Sequence, residues 1–286
     1  MNLRVTFYLS CLVLLGACSS GKEVINADGE STIAATEAPT PTKAATPTLL
    51  PPTDPVPFAL DSIRLGQEMA YAFQATSGEV VHYWLYIPDS YDEGRSWPLI
   101  IALHGYLGLE PSLDRVRQQS PTAFVGSEVD FPFIVISPQG PNGPWEIYHE
   151  PMEALIGLLG ESLSFDSEAQ FLTGLSTGGV AAWQWALASP DRFTGLALIA
   201  GPPSSSLYEF DPEEACKLRD LPIWVGHSEA DELAPIEPSR SAVMALEDCG
   251  STKVTFRTYT ELSHAESFAA MFRGPELYNW MLSLAK

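Results

Sequence analysis

Seven short apolar runs, each closed by Gly, Pro or polar residues and separated by helix-type stretches, constrain this chain more than any other feature. They are VVHYWLYIP, WPLIIALHG, FPFIVISPQG, AQFLTGLS, FTGLALIAG, LPIWVGHSEAD and TKVTFRTYT. Strands that alternate with helices imply one α/β domain, a mostly parallel central sheet with helices on both faces. Several of the runs are continuously apolar, as strands covered on both faces must be. The first, Val80 to Pro88, alternates more and is expected towards an antiparallel edge. Helices are expected over GGVAAWQWALAS, EPSRSAVMALEDC and GPELYNWMLSLAK, with Pro190 and Gly250 as stops.

Length alone, 286 residues, allows one large domain or two small ones. The amino-terminal part narrows the choice. MNLRVTFYLSCLVLLGAC has one cation, Arg4, before an apolar stretch, and no acidic residue, which is the pattern of a secretion signal. The stretch is too short for a bilayer span, and Leu15-Gly16-Ala17-Cys18 resembles a bacterial lipobox, in which the cysteine is lipidated. Residues 1–17 are therefore expected to be a lipoprotein signal, with Cys18 as a membrane anchor facing an extracytoplasmic compartment. From Cys18 to residue 60 the chain is rich in Thr, Pro and Ala and has few apolar anchors, the composition of a disordered stalk. Residues 61–286 remain as the α/β domain.

Removing residues 1–17 takes away only Arg4 and moves the formal charge from −21 to −22. A surface so acidic repels nucleic acid and excludes it as a partner. Of four cysteines, Cys11 leaves with the signal and Cys18 carries lipid, leaving Cys216 and Cys249 as a disulfide pair in an oxidising compartment. No CxxC or His-rich spacing appears, so neither a metal nor another cofactor is expected.

Chemistry enters at QFLTGLSTGGVAAW. Here Gly-x-Ser-x-Gly follows an apolar strand and opens an alanine-rich helix, the setting of a nucleophile elbow, with Ser176 at its tip. A serine hydroxyl needs a histidine to take its proton and a carboxylate to orient that histidine. Five histidines are available. His82 lies in an early strand and His149 in a Pro/Gly-bounded loop; His104 and His227 sit at strand ends. In the order Ser, acid, His, the base follows the acid, which selects His264. Its acid should follow the penultimate strand, where Asp231 is chosen over Glu229 and Glu232, read as solvated loop charges. Asp248 falls in an expected helix, and a structural role is expected for His227. After strand PLIIAL, His104-Gly105 should turn the chain so that the Tyr106 backbone N–H meets that of Thr177 as an oxyanion hole.

With these residues in place the chain resembles the α/β-hydrolase superfamily from about Tyr83 to Leu284. More narrowly it is similar to bacterial enzymes known as predicted peptidases and as phospholipase/carboxylesterase-like or polyhydroxybutyrate-depolymerase-like esterases. The resemblance lies in YIPDSYDEGRSWPLIIALHGYLG, FLTGLSTGGVAAWQWALASPDRFTGLALIAG, LPIWVGHSEADELAPIEPSRSAVMAL and GPELYNWMLS. It implies Ser176 as nucleophile, Asp231 as orienting acid and His264 as base. Thr177 stands where Met or Gln is commoner, and SHAES replaces the usual Gly-His followed by a polar residue and an aromatic. The implied activity is cleavage of small acyl esters through an acyl-enzyme. A serine peptidase on the same fold and a catalytically silent surface-binding module are the alternatives. Substrate contacts could come from Trp145 and Tyr148 in GPNGPWEIYHEPM, and a small cap at most from GPPSSSLYEFDPEEACKLRD. Oligomeric state is not encoded in any of these features.

Overall fold

A computed structural model describes residues 56–108, 111–125, 130–140, 145, 149–201 and 210–285. The strands are β1 Val56–Pro57, β2 Glu68–Gln74, β3 Val80–Tyr86, β4 Trp97–Leu103, β5 Ile134–Pro138, β6 Phe165–Leu175, β7 Gly195–Ile199, β8 Ile223–Ser228 and β9 Val254–Tyr259. The helices are α1 Leu113–Arg117, α2 His149–Gly160, α3 Thr177–Ala188, α4 Pro212–Ala215, α5 Glu237–Asp248, α6 His264–Arg273 and α7 Pro275–Leu284. All seven apolar runs form strands, β3 to β9.

The strands lie in the order β1-β2-β3-β5-β4-β6-β7-β8-β9. Antiparallel pairing is confined to β2–β3 and β3–β5; the pairs from β5 to β9 and β1–β2 are parallel. The alternating run at Val80 therefore lies on the antiparallel side, two strands in from the margin. Val56–Pro57 pairs with Tyr71–Ala72, so the sheet begins inside the stretch whose composition reads as stalk. The proposed signal and lipidated cysteine lie outside the described residues.

Every residue of β4 is buried, and successive residues serve different cores. Leu99, Ile101 and Leu103 join one cluster with residues of α2, α3 and α5, whereas Ile100 and Ala102 join another with residues of α6 and α7. β7 divides likewise, Leu196 and Leu198 to one side and Ala197 and Ile199 to the other. That two-sided cover is why these strands read as unbroken apolar runs. Each such Leu or Ile contributes about 1.5–3 kcal/mol on burial, so the sheet is a stiff platform for what its ends carry.

The chain leaves β4 towards β5 on one side and returns to β6 on the other. Their carboxyl ends thus flank a switch point, where open α/β sheets place their ligand crevices. The expected disulfide forms, Cys216 to Cys249, with Cα atoms 5.2 Å apart; it ties the chain just after α4 to the end of α5.

Candidate active site

Ser176 follows the last residue of β6 and precedes the first of α3. Its backbone has φ 50° and ψ −119°, a left-handed conformation that a side chain adopts only at a cost of about 1–3 kcal/mol. The surroundings hold it there. Its N–H donates to Ile199 O at 3.0 Å, and its carbonyl accepts from Gly179 N–H at 2.8 Å. Close backbone approach requires glycine on both sides. A Cβ on Gly174 would run into the Gly178 carbonyl, and one on Gly178 would lie 2.5 Å from His104 O. Gly201 crowds Ser176 from the third side, where a Cβ would lie 2.9 Å from Ser176 N. The hydroxyl is half-buried at the mouth of the sheet edge.

Asp231 lies in the loop after β8, and its carboxylate is fully buried. Oδ1 accepts from Leu233 N–H at 3.0 Å and Ala234 N–H at 2.8 Å, closing the loop. Oδ2 accepts from His264 Nδ1–H at 2.7 Å. One carboxylate thus serves as turn former and imidazole partner together. Burial works against its ionisation, but the hydrogen bonds from Ala234, His264 and Leu233 outweigh that and hold its pKa below the usual Asp value.

His264 opens α6. Ser263 caps that helix with a reciprocal box: its hydroxyl accepts from Glu266 N–H at 3.4 Å, and Glu266 Oε2 accepts from Ser263 N–H at 2.9 Å. The S-x-x-E spacing in SHAE is the sequence signal for this cap, and it explains the departure from the usual Gly-His pattern. The imidazole meets the Phe268 ring edge-on at 4.9 Å. Glu232, read from sequence as a solvated charge, instead accepts from the His264 backbone N–H at 3.3 Å while its residue stays exposed. Glu229 pairs with Arg240 at the surface.

The structure brings Asp231 and His264 together and sets Ser176 on the same strand-end edge. Among the described residues, Ser176 Oγ and His264 Nε2 make no hydrogen bond. Serine–histidine bonds are often long before substrate arrives and tighten in the complex.

The backbone N–H groups of Tyr106 and Thr177 likewise have no partner among the described residues. Thr177 N–H is an orphan donor at the start of the twelve-residue α3, whose dipole favours an anion there. The Tyr106 loop abuts the serine: a Cβ on Gly105 would stand 3.0 Å from Ser176 Cβ. His104, at the root of this loop, is buried. Its Nε2 accepts from Gly140 N–H at 2.8 Å, so Nδ1 carries the proton and donates to Gly105 O at 2.6 Å. Burial lowers its pKa to about 4, and the ring is neutral. Trp145 packs beside it, ring centroids 5.0 Å apart.

His227 is also buried and structural. Nε2–H donates to Ala234 O at 2.9 Å, so Nδ1 accepts from Ser239 Oγ–H at 2.8 Å. His149 corrects the loop expected there: it is the first residue of α2, stacked 5.0 Å from Trp185. Pro151 sits in that helix's first turn, where the missing N–H costs nothing. Tyr148 and residues 202–209, the first part of the proposed cap, lie outside the described residues, whereas Pro212–Ala215 of it form α4.

The strand order, a serine at a strained strand-to-helix turn after β6 and a bonded acid–histidine pair carried after β8 and β9 define an α/β-hydrolase fold. Residues 148–273 match the phospholipase/carboxylesterase family. The chain is 27% identical over 123 residues to a probable feruloyl esterase C of Aspergillus terreus and 27% identical to that of Aspergillus oryzae. Each match covers 42% of this chain and 46% of the relative. The chain therefore spans about half the length of the curated relatives it matches. Among solved structures, a thermostable esterase superposes with TM-score 0.63 at 25% identity, covering 76% of this chain and 62% of that one. The ferulic acid esterase of Anaeromyces mucronatus gives TM-score 0.58 at 12% identity, covering 78% and 95%; that likeness speaks for the fold alone.

Proposed function

We propose that this chain is a serine hydrolase of carboxylic esters acting through an acyl-enzyme. The observation that carries the reading is the buried Asp231 Oδ2 to His264 Nδ1 bond of 2.7 Å at the sheet edge that also presents the strained Ser176. In this reading Ser176 Oγ attacks the ester carbonyl and His264 Nε2 takes its proton. Asp231 holds the Nδ1–H tautomer and stabilises the imidazolium. The tetrahedral oxyanion meets the Tyr106 and Thr177 N–H groups, each such donor being worth about 3 kcal/mol. Collapse expels the alcohol with the proton from His264, and water then releases the acid by the same steps.

Hydroxycinnamate esters are the first substrate class to test, because the curated relatives are probable feruloyl esterases. The lipobox-like Leu15-Gly16-Ala17-Cys18 and the stalk-like composition after it support an extracytoplasmic, lipid-anchored enzyme. The test compares the parent with Ser176→Ala on p-nitrophenyl acetate, methyl ferulate and a peptide amide, alongside fluorophosphonate labelling. Ester turnover and labelling by the parent, with turnover falling at least about 10³-fold in the variant, is the expected result. A Ser176→Ala protein as fast as the parent would sink the proposal, and preference for the amide would move it to a peptidase.

A further inference from the structure

Gly105 is gripped from two sides by side chains. Gln119 Oε1 accepts its N–H at 2.8 Å, and His104 Nδ1–H donates to its carbonyl at 2.6 Å. Two peptide planes meet at this glycine, and each has one polar group pinned. In a planar trans peptide the N–H points opposite to the C=O. Holding Gly105 O towards His104 therefore aims the Tyr106 N–H away from that ring. Holding Gly105 N–H prevents the preceding plane from rotating and carrying the next one with it.

Gln119 is itself fixed by what surrounds α1. Ser112 caps the helix, accepting from Arg115 N–H, and Trp84 Nε1–H donates to Leu113 O at 2.6 Å. Arg115 reaches the Leu107 carbonyl in the same loop. Arg117 Nε pairs with the largely buried Glu68 on β2 at 2.9 Å, and Ser137 on β5 bonds Ser120 at 2.9 Å. Gln119 N–H closes the turn onto Val116 O at 2.9 Å. The segment from Ser112 to Thr122 is thus a splint anchored on β2, β3 and β5. From it, the Gln119 carboxamide reaches a glycine whose own Cβ would stand 3.0 Å from Ser176 Cβ and 3.4 Å from Gln119 Oε1.

We infer that Gln119 is a positioning residue for the oxyanion hole: its side-chain oxygen holds the Gly105 N–H and so keeps the Tyr106 N–H in register with Ser176. This rests on the reading of Ser176 as nucleophile. Without the acceptor, Gly105 N–H is left unpaired in a part-buried position, and the cheapest relief is rotation of its peptide.

The experiment uses the full chain carrying Gln119→Met or Gln119→Leu. Both remove the acceptor, with different packing, so that failure of one to fold leaves the other. Readouts are kcat and KM for p-nitrophenyl acetate, the Ki of an alkyl boronic acid that forms a tetrahedral adduct with the serine, and thermal stability. The expected result is a kcat lower by about 10- to 100-fold, KM changed by less than about threefold, and boronate affinity weakened in step with kcat. A variant that loses thermal stability yet keeps kcat and boronate affinity within about twofold of the parent makes Gln119 a structural splint only and overturns the inference. A parent that neither turns over esters nor is labelled at Ser176 is a different failure, that of the serine-hydrolase reading.

Discussion

Replacing Gly178 by alanine tests how the site is assembled, because the collision it creates lies between the two halves of the proposed catalytic site. The new Cβ would stand 2.5 Å from His104 O and 2.8 Å from Leu103 C, with the Leu103 carbonyl closer still. Ordinary contact begins at 3.4 Å, so relieving the closest contact, with the Leu103 carbonyl, requires the helix to retreat by about 1 Å. The strand cannot give way: β4 is central in the sheet and buried along its whole length. Ser176, which caps α3, moves with the helix, while the Tyr106 loop stays with β4. A misplacement of about 1 Å costs on the order of 100-fold in rate, and the overpacking costs about 1–3 kcal/mol of stability. The assay is kcat/KM for p-nitrophenyl acetate together with urea unfolding. Gly157→Ala is the control, since Gly157 lies in α2 on an exposed face where a Cβ meets nothing within 4 Å. That change should leave activity alone and add about 0.5–1 kcal/mol of stability. A folded Gly178→Ala enzyme within about threefold of the parent would refute the argument that helix and loop are in rigid register.

Asp231→Asn should lower kcat by about 10³–10⁴-fold with the fold intact. The two loop N–H groups keep the amide oxygen, and the NH2 then faces His264 Nδ1 and forces the wrong tautomer; a loss under about tenfold contradicts the assignment. His104 has a folded pKa of about 4 against an ordinary 6.5, so on acidification the unfolded chain binds its proton first. Its contribution, on the order of 3 kcal/mol, is full above about pH 6.5 and fades as pH falls towards 4. NMR titration should find this imidazole still neutral at about pH 5.5, and a midpoint near the ordinary value would show that burial does not control it. The Cys216→Ser/Cys249→Ser protein, freed of a link spanning 33 residues, should lose about 3–4 kcal/mol of unfolding free energy. An unchanged urea midpoint counts against that estimate.

The parallel strands were legible because burial on both faces leaves an unmistakable apolar run. β2, EMAYAFQ, was not, because it lies at the antiparallel margin with only Ala70 and Tyr71 buried. β1 is two residues long in proline-rich surroundings, too short to leave a pattern. α2 was hidden by Pro151 and two glycines, all residues that read as loop until the helix start is known. Ser176 was nameable from the glycines and the strand-to-helix setting around it, Asp231 from its place after the penultimate strand and His264 from chain order, and the structure bonds Asp231 to His264. The cap that sets His264 was written in Ser263 and Glu266, three residues apart, but drew no notice beside the expected Gly-His. Gln119 had no signal at all. Its tie to Gly105 spans fourteen positions through a short helix, and nothing local marks an exposed-looking glutamine as the partner of a distant amide.

Three histidines at the strand ends could in principle compete for the proton that the proposed ester cleavage moves, and the fold removes two of them from contention by the same device. His104 and His227 are buried, which disfavours the charged ring, and each has both nitrogens engaged in one tautomer. His104 donates through Nδ1 and accepts through Nε2; His227 does the reverse. Protonating either would turn an accepting nitrogen against its donor. The consequence matters most at His227, whose Nε2 lies 3.3 Å from Asp231 Oδ2. A cation there would draw the carboxylate's charge away from His264. With that ring neutral, Asp231 keeps its bond to His264, the ring that becomes the imidazolium in the proposed mechanism and whose Nε2 alone among the three stays unengaged among the described residues. Neutral clamps shape the loop that carries Tyr106 and the loop that carries Asp231, and in the proposed mechanism proton uptake falls to the one histidine that opens a capped helix at the strand-end edge also carrying Ser176.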